Sequence, residues 1–305
     1  MTYARAHLVD SQNGGFYHCI SRCVRRGWLC GMDAISGKSF EHRRTWIESR
    51  ILHLADIFSI DVFAYAVMSN HYHLVLDVQP QQVALWSDEE VVQRWLRLGS
   101  PNNETHEQAQ IDALLLNPER VSLLRQRLGS LSWFMRYLNE PIARQANRED
   151  GCTGRFWEGR FKSIALLDEA AIVACMAYVD MNPIRAKLTQ NIEQAPYTSV
   201  KRRIDHSQHP TTRLGELARV GLSLDEYVDV LRWASAIENG DMAQPSAKTS
   251  TTLKRLQRSP DDWLGQVKVN RFKYRAYGTS QRIKRYAQDL GQQWIKSSTR
   301  IPHRT

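Results

Sequence analysis

His71 and His73, within Asn70-His71-Tyr72-His73-Leu74, are the residues of this chain best placed to do chemistry. They follow the apolar run Val62-Phe63-Ala64-Tyr65-Ala66-Val67-Met68 and lead into Leu74-Val75-Leu76, both strand-like. Histidines at i and i+2 on a strand project from one face, because successive side chains alternate. Two imidazoles held side by side on a sheet form a pair of metal ligands. The same spacing also suits ring-stacked or solvent-facing histidines. A second feature narrows the choice: Tyr178 and Asn182 lie one helical turn apart in Ala177-Tyr178-Val179-Asp180-Met181-Asn182-Pro183. By itself Tyr178 reads as a core or rim aromatic. A phenol is a poor nucleophile at its usual pKa of about 10. A metal on His71 and His73 that polarised a phosphate, with a helix aiming the phenol at phosphorus, would overcome that. Asn182 then offers an oxygen as third ligand, and an amide with two imidazoles and open positions suits a hard, phosphate-binding cation better than structural zinc.

These side chains need a scaffold. Residues 16–22 read as a first strand, ending at the basic turn Arg25-Arg26-Gly27. Trp46, Ile47, Ile51, Leu54 and Ile57 recur at helical spacing over residues 40–57, and the two strands around the histidines follow. Residues 80–120 are polar, with weak helical character, and read as an insertion. Leu124, Leu128, Leu131, Phe134, Leu138 and Ile142 make one helical stripe over 121–148, which Pro141 should kink or end. A strand or hairpin arm at 164–167 precedes Asp168, a good N-cap for a helix to Met181 that Pro183 stops. The order β-α-β-β-α-β-α predicts an α+β domain: a ferredoxin-like, RRM-like antiparallel sheet with helices on one face, plus a mainly helical insertion and C-terminal extension. Residues 1–205 form this domain. Residues 206–305 form the extension, entered through a linker at 206–210 and a capping box of Ser223 with Glu226.

The net charge of +9 is localised. Residues 268–305 carry ten basic side chains against one acid, while residues 1–267 balance at 31 of each. Phe272, Tyr274, Tyr277, Tyr286 and Trp294 interleave with that basic tail, which suits a polyanion or simply a solvated tail. The five cysteines (Cys19, Cys23, Cys30, Cys152, Cys175) are odd in number and lack paired zinc spacing, so they read as reduced thiols. With no apolar run of membrane-spanning length and no signal-type N-terminus, the expectation is a cytoplasmic protein with no membrane partner.

Taken in order, these pieces resemble the single-tyrosine HUH transposases, most closely the REP-associated tyrosine transposases. The resemblance rests on Tyr17-His18 through Arg22, Ala64 through Leu74, Gly159-Arg160-Phe161-Lys162-Ser163, and Tyr178 through Asn182-Pro183-Ile184-Arg185-Ala186, and it covers residues 14–200. It implies Mg²⁺ or Mn²⁺ on His71 and His73, Asn182 as the polar third ligand, and Tyr178 as nucleophile. The implied reaction is cleavage of single-stranded, hairpin-associated DNA through a covalent 5′-phosphotyrosine, rejoined by a 3′-OH without ATP. The insertion at 80–120 is longer than in compact members, and the tail beyond 205 lies outside the shared domain. Arg25, Arg26, Arg155, Trp157, Arg160 and Lys162 are the candidate DNA contacts, guanidinium and ammonium groups for phosphates and an indole for a base. The alternatives are a catalytically idle, domesticated protein that binds hairpin DNA or RNA, and a replication initiator or relaxase of the HUH type. The lone tyrosine and the lack of a Gly-x-x-x-x-Gly-Lys loop disfavour the latter. A monomer and a homodimer both suit this reading.

Overall fold

Alternating apolar residues, many of them β-branched or aromatic, form four central strands: β1 (Gly15–Arg22), β2 (Ile60–Val67), β3 (His71–Val78) and β4 (Lys162–Leu166). The structure is a computed structural model and describes residues 8–24, 29–33, 37–99, 108–207, 214–268 and 274–298. The four strands lie in the order β2-β3-β1-β4, with every neighbouring pair antiparallel. α1 (His42–Ala55) connects β1 to β2, and the remaining helices follow β3. The α+β class and the β-α-β-β-α-β order are those expected.

The insertion is more regular than its composition suggests. It holds α2 (Asp88–Leu96) and α3 (Gln108–Leu115), and α4 (Pro118–Leu128) starts at its end. Ser87 and Asn117 accept the N–H groups of Glu90 and Arg120 and so cap two of these helices. The acidic run Asp88-Glu89-Glu90 fills the first turn of α2, where the helix dipole favours negative charge. The single stripe expected over 121–148 is two helices. α4 ends before Gly129, and α5 (Leu131–Glu149) continues through Pro141 rather than stopping there. Proline removes the N–H that the Tyr137 carbonyl would accept, and Arg50 Nε donates to that carbonyl at 3.1 Å instead. A partner from α1 thus makes the proline tolerable.

Helices cover both faces of the sheet, which corrects the expectation of one covered face. Tyr17, Cys19, Tyr65, Tyr72, Leu74 and Leu76 pack with residues of α1, α4 and α5. Phe63, Ala64, Ala66 and Val75 pack on the other side with α6 (Glu169–Asp180). The period-two alternation of β1, β2 and β3 sends alternate side chains to opposite sides, and both sides are apolar here. α6 is buried from Ala170 to Asp180 because further helices cover its back, which explains why that stretch is apolar nearly all round. Asp168 caps it through Ala171 N–H. Then come α7 (Asn182–Arg185), α8 (Ser199–Asp205), α9 (Leu224–Glu238), α10 (Ala247–Arg255) and α11 (Pro260–Lys268). The reciprocal capping box of Ser223 and Glu226 opens α9 as expected.

The C-terminal segment joins the sheet. β5 (Ala276–Tyr277) pairs parallel with β4, and β6 (Ser297–Ser298) pairs parallel with β5, giving a mixed six-stranded sheet. α12 (Ser280–Asp289) lies between them. Tyr277 and Tyr286 are buried, and Tyr286 Oη donates to the Leu8 carbonyl at 3.0 Å. Two of the tail's aromatics therefore serve the fold and not base stacking, whereas Trp294 is 74% exposed. Phe272, Arg271, Lys273, Arg300 and Arg304 lie outside the described residues, as do 208–213 of the expected linker. Among the described residues no helix is long and apolar enough to cross a membrane. Of the five cysteines, Cys19, Cys23, Cys30 and Cys175 are buried and Cys152 is exposed.

Asp180, fully buried on α6, clamps this helix to its neighbours. Its carboxylate accepts from Ser199 Oγ at 2.6 Å, Val200 N–H at 3.0 Å and Tyr227 Oη at 2.6 Å. Replacing Asp180 with Ala strands those donors in a dry core, and we expect a loss of about 3 kcal/mol or more in urea unfolding. Wild-type stability in Asp180→Ala would show that the clamp is idle.

Candidate active site

A tight turn sets the position of the histidine pair. Met68 N–H donates to the His71 carbonyl at 2.9 Å, closing the β2–β3 hairpin over Ser69 and Asn70. The turn's own carbonyls accept from Cys30 N–H at 2.9 Å (Ser69) and Cys23 N–H at 3.0 Å (Asn70), so the hairpin tip is pinned from outside. Directly opposed residues of an antiparallel pair point to the same face. Arg22 opposes His71, Ile20 opposes His73, and Lys162 opposes Ile20. Arg22, His71, Ile20, His73 and Lys162 therefore share the face that α6 covers, with Arg22 and Lys162 exposed at its open end.

Across from them stands Tyr178, on α6 and largely buried. Its ring meets His73 edge-on at 5.6 Å between centroids and His18 at 5.9 Å. His71 and His73 are themselves 4.8 Å apart at an interplanar angle of 78°. Residues more than a hundred positions apart thus converge on one corner. His18 is the member that the sequence reading passed over, although its strand was singled out. It is fully buried on β1, stacked on His73 at 5.1 Å, with His18 Nε2 2.9 Å from His73 Nδ1. The available signal was parity: His18, Ile20 and Arg22 alternate on one face of β1.

Burial holds all three imidazoles neutral. It pushes His18 down to about 3, with the charge of His71 adding to the effect. His71 is brought to about 4 by burial and then by Arg22. His73 is driven well below its ordinary value by burial, with smaller effects from its two neighbouring histidines and Arg22 and Arg185. Neutral imidazoles are the form that binds metals. The nitrogen set also fits a cation. His71 Nδ1 lies against Asn70 Oδ1, an acceptor, so Nε2 carries the lone pair. His73 Nε2 is buried with no hydrogen-bond partner among the described residues. No third histidine, cysteine, aspartate or glutamate among the described residues completes a group that could hold a metal. Asn182 opens α7, one turn past Tyr178. Its Nδ2 donates to the Tyr178 and Val179 carbonyls at 2.9 and 3.2 Å, so only its Oδ1 is left for a ligand.

Burial raises the Tyr178 phenol, while the guanidinium groups of Arg185 and Arg22 pull it back down. Arg185 is a second residue not singled out from sequence. Its Nη1 donates to the Tyr178 carbonyl at 3.0 Å and its guanidinium lies 4.8 Å from the ring centroid. Of the candidate DNA contacts, Arg155, Arg160 and Lys162 are exposed. Trp157 is half-buried: its indole N–H donates to the Asn139 carbonyl at 2.9 Å and its ring meets Tyr72 edge-on. That places it as an anchor of the loop before β4, with only part of its ring on the surface. Arg25 and Arg26 lie outside the described residues.

The histidines make the metal-free protein acid-sensitive. Their folded-state values sit below the ordinary 6.5, so the unfolded chain takes up protons first as pH falls. Each therefore contributes stability that is complete above pH 6.5 and declines below it by about 1.4 kcal/mol per pH unit, until its folded-state value is reached. Asp180 has the opposite sign. Burial raises it to about 6, so it offsets one histidine between that value and its ordinary 3.8. We expect urea midpoints in chelator to fall steeply from pH 6.5 to 4.5. A flat profile would mean that these imidazoles titrate alike in both states.

No protein-family model and no curated protein matches this chain. Among solved structures it is similar to a REP-associated tyrosine transposase bound to a REP hairpin, at 12% sequence identity and a TM-score of 0.41, covering 71% of this chain and 93% of that one.

Proposed function

We propose that the protein is a metal-dependent nickase and strand transferase for single-stranded, hairpin-associated DNA, acting through a covalent 5′-phosphotyrosine on Tyr178. The observation that carries this reading is the packing of the Tyr178 ring against His73, with His71 beside it on the same sheet face. The motif order in the sequence supports the same chemistry. Mg²⁺ or Mn²⁺ held by His71 and His73, with Asn182 Oδ1 as the third protein ligand, would polarise the scissile phosphate as a Lewis acid. Tyr178 Oη forms the bond to phosphorus, the bond from phosphorus to the 3′ oxygen breaks, and the phenol proton is delivered overall to that oxygen. The product is a 5′-phosphotyrosine and a free 3′-OH. Attack by a 3′-OH reverses the exchange, one phosphodiester for another, so no ATP is needed.

The surrounding charges suit that exchange. Arg185 and Arg22 lower the proton affinity of a phenol that burial raises, and both favour the negative charge that builds at phosphorus. Arg22, Arg155, Arg160 and Lys162, all exposed, offer contacts to the strand's phosphates. The test is to incubate the protein with hairpin oligonucleotides bearing single-stranded flanks, with Mn²⁺ or with chelator. An SDS-resistant protein–DNA adduct should appear with Mn²⁺ alone. Intact binding without cleavage across a library of hairpins would replace catalysis with a purely hairpin-binding role.

A further inference from the structure

We propose that His18 is a positioning residue for His73, accepting its Nδ1 proton while the Nε2 lone pair takes a cation. This rests on the reading of His71 and His73 as metal ligands. The 2.9 Å contact between His18 Nε2 and His73 Nδ1 joins two ring nitrogens, and only one of them can carry the shared proton. If His18 held it, His73 would carry its own proton on Nε2. That N–H would then be buried with no acceptor among the described residues, but the other tautomer places a proton on His18 Nδ1, which is buried too, so burial alone favours neither. A cation decides between them: it takes the Nε2 lone pair of His73, which leaves the proton on Nδ1, donated to His18 Nε2. The neighbouring ligand is set in the same way, because Asn70 Oδ1 accepts from His71 Nδ1. Each imidazole of the pair is thus oriented by an acceptor behind it, as metal-ligating histidines ordinarily are.

The geometry also explains why a histidine occupies a fully buried position on β1. His18 packs against both His73 and Tyr178, meeting one ring face to face and the other edge-on. An aliphatic residue would fill that volume but leave His73 Nδ1–H without an acceptor. His18 is not placed to bind the same cation through Nε2, since that atom is taken by His73.

The direct test needs no variant. Long-range ¹H–¹⁵N correlation spectra of the protein loaded with Mg²⁺ at neutral pH should show His73 and His71 protonated on Nδ1. His73 found protonated on Nε2 would overturn the proposal. In titrations read by Mn²⁺ electron paramagnetic resonance, His18→Leu should weaken binding by about 10- to 100-fold. His18→Gln, whose side-chain oxygen accepts the same bond, should recover most of that loss. Wild-type Mn²⁺ affinity in a folded His18→Leu would equally overturn it. These readouts are separate from cleavage: the tautomer pattern and Mn²⁺ affinities can hold while no DNA adduct forms, which would sink the proposed function alone.

Discussion

Tyr178→Phe should abolish the covalent protein–DNA adduct, lowering cleavage by more than about a thousandfold, while hairpin binding stays within about twofold of the wild type. The substitution removes one oxygen. It keeps the ring that packs on His73 and His18, the ring contact to Arg185, and the Tyr178 carbonyl that Arg185 and Asn182 both hold. α6 therefore keeps its seat, and lost activity cannot be put down to lost structure if thermal unfolding is unchanged. Gel shift and denaturing electrophoresis on the same hairpin separate binding from bond formation. An adduct of undiminished yield in the Phe variant would remove Tyr178 as the nucleophile.

The second large effect is expected at His71. It is the more exposed of the histidine pair and lies at the strand's start, so His71→Ala opens no core cavity of the kind His73→Ala would. Cleavage should fall by about a hundredfold or more, and raising the Mn²⁺ concentration should recover part of it, because the loss lies in ligation. Unfolding in chelator at neutral pH should be little altered. Cleavage that remained at the wild-type level, or that fell without any response to Mn²⁺, would separate His71 from the metal.

Local signals were easy to read in this chain. The strand around His71 and His73 declares itself by alternation, and α6 by its cap at Asp168 and its alanines. The capping box of Ser223 and Glu226 stands as written. Where sequence reasoning erred, a distant partner had altered the local rule. Pro141 stays helical because Arg50, from another helix, takes the carbonyl that proline orphans. Tyr277 and Tyr286 resemble a stacking set in a basic tail, yet the segment adds to the sheet beside β4 and buries them. Helices cover both sheet faces because alternate residues of the central strands are apolar on each side, a pattern that reads locally as generally buried strand.

The candidate site divides in the same way. Residue type and spacing alone determined the histidine pair, its shared face and a tyrosine on a helix, since strand parity and helical turn are properties of a few consecutive residues. Only the tertiary structure decided that Tyr178 meets His73, that His18 lies behind it, and that Arg185 lies against the Tyr178 ring. Those contacts join β1, β3, α6 and α7, and no local period reports which elements pack together. Burial decided the protonation states too: the loss of water drives the imidazoles to their neutral form and raises the phenol. That depends on what surrounds each side chain, which emerges only when the sheet and α6 close over one another.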